Sequence, residues 1–277
     1  MSSNMNALES KFIEVNGVRL HYQETGSGSP VVCLHGAGPG ASSASNFKLN
    51  VKAFSQNHHA VLYDMPQFGD SAKIPITEGR LVYNARMLKN FLDAIGLHKV
   101  DIVGNSMGGQ VGLKFGIDYP DRLGKIVIIG SGAVPPVFAP YPVEGVRMIN
   151  QFYKGGGPTR DKLRTLLNTI VYDPSLVSDA VFEERWLVAT RPDVVELFGK
   201  LQGPLPRESL ANDLPDLKAR LLTIWGMDDR MGALDVGIQI TRLVQDARMH
   251  VFNKCGHWAQ VEHAQEFNRL VVDFLDH

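Results

Sequence analysis

The pentapeptide Gly104-Asn105-Ser106-Met107-Gly108 follows the β-type run Val100-Asp101-Ile102-Val103 and precedes the helix-type Gln110-Val111-Gly112-Leu113-Lys114-Phe115. A serine on a sharp turn between strand and helix presents its hydroxyl above a sheet, and flanking glycines let neighbouring elements approach the strained backbone. Ser106 is therefore the candidate nucleophile. Gly-x-Ser-x-Gly alone also describes an ordinary glycine-rich turn; the strand before it and the helix after it separate the two readings.

Working outward toward the N-terminus, Val31-Val32-Cys33-Leu34 is a continuous apolar run of the kind a doubly covered parallel strand shows. It runs into His35-Gly36-Ala37-Gly38-Pro39-Gly40, a loop able to aim backbone N–H groups at a point beyond the sheet. In an α/β-hydrolase arrangement one oxyanion donor comes from such a loop and the other from the residue after the nucleophile, here Ala37 and Met107. A phosphate loop is the rival, but the Lys-Ser/Thr ending is absent and the glycine spacing fails the dinucleotide fingerprint. His35 is expected to order this loop through hydrogen bonds. Earlier still, Phe12 to Val15 and Val18 to Gln23 alternate around Asn16-Gly17, a hairpin signal, with His21 expected as a surface residue of its strand. Ala60 to Tyr63 is a further buried strand, and Asp64 at its end is expected to be structural. Tyr83, Ala85, Leu88, Phe91, Leu92 and Ile95 mark a helical face that Gly96 ends.

On the other side, Ile126 to Ile129 is another strand, after which the pattern changes. Pro135-Pro136, Pro140, Pro142 and the turn Gly155-Gly156-Gly157-Pro158 separate helix-like segments until strand rhythm resumes at Arg220 to Trp225. An inserted helical lid over 134–205 is expected, with 1–133 and 206–277 forming one core: an α/β fold with a mostly parallel twisted sheet and helices on both faces. Gly226-Met227-Asp228-Asp229-Arg230 supplies an acid after the resumed strand; either aspartate can serve by position. Met249 to Phe252 leads to a histidine loop holding His257, giving the order Ser, Asp, His that α/β-hydrolases use. The stripe Phe267, Leu270, Val271, Phe274, Leu275 marks a helix packed on the sheet.

Composition narrows the function. With 28 Lys+Arg against 29 Asp+Glu the net charge is −1, so no basic field favours nucleic acid or an anionic membrane, and a small molecule is the expected partner. No apolar stretch is long enough to span a bilayer, and Met1 to Asn6 lacks a basic region followed by an apolar run. Cys33 and Cys255, far apart and expected to be buried, fit a reduced cytoplasmic setting and form no metal-ligand spacing.

At these residues the chain resembles the meta-cleavage product hydrolases of the α/β-hydrolase superfamily, the carbon–carbon bond hydrolases of bacterial aromatic-compound degradation. The resemblance runs nearly end to end. It rests on Leu34 to Gly40 with Asn46 downstream, Gly104 to Gly109, Glu184-Arg185-Trp186, Trp225 to Arg230, and Cys255-Gly256-His257-Trp258-Ala259-Gln260. It implies Ser106, Asp229 and His257 as a triad, the acid lying three residues after the Trp-Gly glycine. It further implies that Arg185, Asn46 and Asn105 hold the polar end of a dienoate with Trp258 against it, that no metal or organic cofactor takes part, and that the enzyme is a homo-oligomer. Two positions depart from the family pattern: Ala37 stands where glycine is common, and Met231-Gly232-Ala233 replaces a bulkier, Pro-containing segment, which bears on how rigidly Asp229 is held.

The expected reaction is hydrolysis of a 2-hydroxy-6-oxo-hexa-2,4-dienoate. Phe138, Phe152, Phe198 and Leu201 in the lid point to a bulky, phenyl-type 6-substituent. An esterase or lactonase on the same triad is the alternative, since this fold hosts many acyl chemistries. A nonhydrolytic ligand receptor is a third, against which an intact Ser-Asp-His set argues.

Overall fold

Asn16 and Gly17 both hold positive φ, 53° and 77°, the requirement of a tight hairpin turn. They join β1 (Lys11–Val15) to β2 (Val18–Thr25) and so begin an eight-stranded sheet. The structure, a computed structural model, describes residues 8–201 and 208–277. The remaining strands are β3 (Ser29–Leu34), β4 (His58–Tyr63), β5 (Val100–Asn105), β6 (Leu123–Ile129), β7 (Arg220–Gly226) and β8 (Ala247–Phe252). Their spatial order is β1-β2-β4-β3-β5-β6-β7-β8; β2 pairs antiparallel with β1 and β4, and every later pairing is parallel.

Helices cover both faces of the sheet. In β3, Val31 and Cys33 enter one apolar cluster and Val32 and Leu34 the other, so a run without alternation is buried on both sides. One cluster holds α1 (Ser43–Phe47), α2 (Val51–Phe54) and the last helix, whose Phe267, Val271, Phe274 and Leu275 are buried as their spacing predicts. The other holds α3 (Arg80–Ala94), which brings Phe91 and Leu88, and α4 (Met107–Asp118), which brings Val111 and Phe115. Burying each such side chain contributes about 1.5–3 kcal/mol.

Between β6 and β7 come α5 (Glu144–Phe152), α6 (Arg160–Ile170), α7 (Asp179–Ala189) and α8 (Pro192–Lys200). Thr159 and Ser178 cap α6 and α7 by accepting from Lys162 N and Val181 N, which fixes where the two helices start. These helices share a core of their own, with Phe152, Leu163, Leu166, Leu167 and Phe182, into which Met231 and Trp258 reach from the sheet side. The expected boundary at 205/206 and the stretch Met1 to Asn6 lie outside the described residues. The chain closes with α9 (Leu234–Leu243), α10 (Ala259–Glu262) and α11 (Ala264–Asp276).

His21 corrects the sequence reading. It is buried, with Nδ1 2.7 Å from Asp64 Oδ2 and Nε2 3.1 Å from Ser10 Oγ. The cause is tertiary: its ring is covered by Phe12, with centroids 5.0 Å apart, and engaged by Asp64 and Ser10, none of them in its own strand. Asp64 is structural, accepting also from the N–H groups of Ser43 (2.8 Å) and Asp70 (3.1 Å).

Candidate active site

Ser106, Asp229 and His257 sit just past the C-terminal ends of β5, β7 and β8, where open α/β sheets bind their ligands. At Ser106 φ is 54° and ψ −116°, a conformation that costs about 1–3 kcal/mol and needs its surroundings to hold it. Ser106 N donates to Ile129 O at 2.7 Å, and the turn is possible because Gly104 carries no Cβ, which would meet the Gly108 carbonyl carbon at 2.5 Å. The serine is thus pinned to β6 while α4 departs immediately after it.

Of the two aspartates, Asp229 meets the histidine: its Oδ2 is 2.8 Å from His257 Nδ1, while Asp228 is exposed. The other oxygen of Asp229 accepts from Met231 N at 2.7 Å and Gly232 N at 2.9 Å. The Met231-Gly232 segment therefore immobilises the carboxylate through backbone donors without needing proline. With Nδ1 engaged by Asp229, Nε2 is the ring nitrogen available toward the pocket that Ser106 and His257 both line.

Met107 N–H lies in the first turn of α4, where an amide has no intrahelical acceptor. Ala37 follows a loop fixed by His35, whose Nδ1 is 2.8 Å from Gly36 O and whose Nε2 accepts from Met65 N at 3.1 Å. Accepting at Nε2 requires the proton on Nδ1, and burial lowers the pKa of the ring, so His35 is a neutral loop brace. Ala37 and Met107 border the same cavities as Ser106.

Arg185, on α7, is buried and reaches the serine through amides. Its Nη2 donates to Asn46 Oδ1 at 3.1 Å, and Asn46 Nδ2 donates to Asn105 Oδ1 at 2.8 Å. Its guanidinium carbon lies 4.9 Å from the centroid of the Trp258 ring. Burial pulls the guanidinium down to about 10, with the charge of Glu184 acting the other way, so it stays cationic at neutral pH. Ser106 stands where two cavities meet. The smaller, about 20 Å³, is lined by Asn46, Asn105, Arg185, His257 and Trp258; the larger, about 340 Å³, extends under the inserted helices past Val146, Val188 and Phe198.

The family model described as "alpha/beta hydrolase fold" matches residues 29–264. The chain belongs to the α/β hydrolases. Within that family this hydrolase is 40% identical over 97% of its length to a 2-hydroxy-6-oxononadienedioate/2-hydroxy-6-oxononatrienedioate hydrolase from Paraburkholderia phymatum, covering 96% of that protein. It is 38% identical to a 2-hydroxy-6-oxo-6-phenylhexa-2,4-dienoate hydrolase from Burkholderia cepacia, with 96% of each chain covered. Among solved structures, a meta-cleavage product hydrolase from Pseudomonas fluorescens IP01 superposes with a TM-score of 0.88 at 29% identity, over 97% of this chain and 98% of that one.

Not every expected residue reaches the hydrolase site. Phe198 and Leu201 line the larger cavity, but Phe152 is consumed by the core of the inserted helices and Phe138 is 88% exposed. Conversely, Arg80, Lys73 and Glu208 line that cavity, and nothing in the sequence around them signals it. No helix among the described residues is long and apolar enough to cross a membrane, and none of their His, Cys, Asp and Glu side chains cluster as a metal site.

Proposed function

We propose that this α/β hydrolase cleaves the carbon–carbon bond of 2-hydroxy-6-oxo-dienoates, with Ser106, His257 and Asp229 as its triad. The observation that carries the reading is Arg185: a buried cation with no carboxylate in ion-pair range among the described residues, linked through Asn46 to the residue before the serine. An esterase for neutral substrates has no use for such a group. A dienoate does, because its carboxylate pairs with the guanidinium fork. The names carried by the relatives support this substrate class, and they include both 6-phenyl and dioate forms.

The chemistry follows from the arrangement. The dienol cannot release a carbanion directly, so its 2-hydroxyl proton is first moved to carbon, with His257 taking it from the oxygen. The resulting ketone accepts the electrons of the departing fragment. Attack at the 6-oxo carbon, by Ser106 or by water activated at the same place, puts negative charge on an oxygen that the N–H groups of Ala37 and Met107 stabilise. Loss of one such donor typically costs about 3 kcal/mol. Cleavage then releases a 2-hydroxypentadienoate and a carboxylic acid. Residues 134–205 serve as a lid that excludes water from this site; Ile149, Val188 and Phe198 bordering the larger cavity support that role. Buried free thiols at Cys33 and Cys255 support a cytoplasmic setting, and the family resemblance supports a homo-oligomer.

Spectrophotometry tests the reading. The yellow dienolate should bleach with purified enzyme while p-nitrophenyl esters turn over poorly. Efficient ester turnover without bleaching would make the protein an esterase or lactonase, and inertness toward both would make it a receptor.

A further inference from the structure

Two arginines border the site, Arg185 buried and Arg80 half-buried, and the reaction described above uses one. Arg80, the first residue of α3, lines the larger cavity and not the pocket that holds Arg185. Its Nη1 is 4.0 Å from the sulfur of Met107, a weak acceptor, and its Nε is buried with no hydrogen-bond partner. Among the described residues no carboxylate lies within ion-pair distance. Glu208, whose charge acts on Arg80, accepts from the backbone of the next turn instead, Leu81 N at 2.8 Å and Val82 N at 3.4 Å. Of the other two cations lining the cavity, Lys73 is committed to the carbonyls of Phe68, Gly69 and Ser71 and Lys154 is exposed. The lining of the cavity combines apolar residues, Leu81, Val134, Val194 and Phe198 among them, with the amides of Gln67, Gln110 and Asn150.

A guanidinium whose Nε is buried without a partner gains from an anion that reaches it through the cavity. Met107 fixes where that anion sits, since its backbone belongs to the nucleophile turn while its side chain touches Arg80. A group bound at Arg80 is therefore separated from the Met107 N–H by the length of the methionine side chain. We propose that Arg80 anchors an anionic end on the substrate's 6-substituent, so that the enzyme prefers 2-hydroxy-6-oxo-dienoates whose side chain ends in a carboxylate over those with a 6-phenyl group. The proposal rests on the dienoate reading above. The dianion is held at one end by Arg185 and at the other by Arg80, with the reacting ketone between them at Ser106, and anchoring at both ends fixes its register.

Four compounds test it: 2-hydroxy-6-oxononadienedioate, 2-hydroxy-6-oxo-6-phenylhexa-2,4-dienoate, and the mono-p-nitrophenyl esters of succinate and of monomethyl succinate. The last two differ in an acyl-chain charge and need no carbon–carbon cleavage; the spontaneous release from the succinate half-ester, whose own carboxylate attacks the ester, is subtracted as a blank. The wild type should favour the charged member of each pair. Arg80→Met should reduce the charged-to-neutral ratio of kcat/KM by about 10- to 100-fold in each pair, and Arg80→Lys should restore part of it, with melting curves confirming that both variants fold. Bleaching of both dienoates with a ratio indifferent to Arg80 overturns the anchor and leaves the dienoate reading standing. A charge preference in the esters that Arg80→Met abolishes, without bleaching of either dienoate, keeps the anchor and removes the dienoate reading. No turnover of any compound overturns both.

Discussion

Asn46 receives a hydrogen bond from Arg185 at 3.1 Å and hands one on to Asn105 at 2.8 Å. Asn105 in turn donates to the carbonyls of Ile129 (3.2 Å) and His257 (3.4 Å). Donation thus runs in one direction, from a cation on α7 to backbone carbonyls beside the serine, and each amide has its orientation fixed by its neighbours. A surface ion pair for Arg185 is also ruled out by its neighbours: Glu183 pairs with Arg160, and Glu184 with Lys48 at 3.0 Å.

Arg185→Gln should therefore reduce kcat/KM on a dienoate by about 100-fold, the scale of one charge-assisted contact, while neutral esters lose much less. Steady-state kinetics on both substrate types measure the difference. Equal losses would mean that Arg185 supports the inserted helices rather than the substrate.

Asp229→Asn should lower kcat by roughly 10⁴-fold, the effect of removing a triad acid in the serine-protease template. Asp228→Asn, on an exposed side chain that does not touch His257, should change it little. The opposite pattern would reassign the acid.

Ser106→Ala should still shift the spectrum of bound dienolate rapidly and then stall, because moving a proton onto carbon needs a base but no nucleophile. His257→Ala should slow both phases. Stopped-flow spectra decide between these roles: an unshifted dienolate with Ser106→Ala, alongside a fast shift with His257→Ala, reverses them.

Gly130, with φ of 57°, lies where a Cβ would stand 2.6 Å from His257 Nδ1 and 2.9 Å from Asp229 Oδ2. Gly130→Ala should cost about 1–2 kcal/mol of stability from the left-handed backbone and, separately, depress kcat by displacing the His257–Asp229 pair. A variant with full kcat and reduced melting temperature would show that the pair tolerates the methyl group.

Asp64 predicts a pH effect on folding. Burial pushes its carboxyl up, but the His21 hydrogen bond and the Ser43 N–H outweigh it and hold the folded pKa below the ordinary value. A depressed carboxylate stabilises fully above its unfolded pKa, near 3.9, and that stabilisation is lost as pH falls through the folded value. Asp64→Asn should therefore be less stable than wild type at pH 7, with the gap narrowing below about pH 4. Urea denaturation at pH 7, 5 and 3 measures the gap; one that does not change with pH would mean that the charge of Asp64 is not its source.

The central parallel strands were legible because the apolar runs Val31 to Leu34, Ala60 to Tyr63 and Ile126 to Ile129 are buried on both sides, and the hairpin because Asn16-Gly17 permits few other conformations. Helix α9 was not: its β-branched Val236, Ile238, Ile240 and Thr241 mask the buried i, i+4 pair Val236 and Ile240. His21 and Phe138 misled for a shared reason, since whether a strand residue or a loop aromatic is covered depends on partners distant in sequence. Within the site, the serine turn and the histidine loop are local motifs and could be read directly. Arg80 could not, because a basic residue opening a helix after glycine has the appearance of ordinary surface until α4 and Glu208 are placed beside it.

The amide of His257 donates to the carbonyl of Ile170, the last residue of α6, at 2.6 Å, and Glu262 accepts from both Tyr172 N (2.6 Å) and Gly256 N (2.9 Å). His257 is therefore stapled to the inserted helices as well as to the sheet. Transplanting those helices from a relative to change selectivity would disturb His257 along with the pocket walls. A workable chimera has to carry the segment from Cys255 to Glu262 along with its matching α6, so that recombination at this fold has its natural seams on either side of that pair and not at the ends of the insertion.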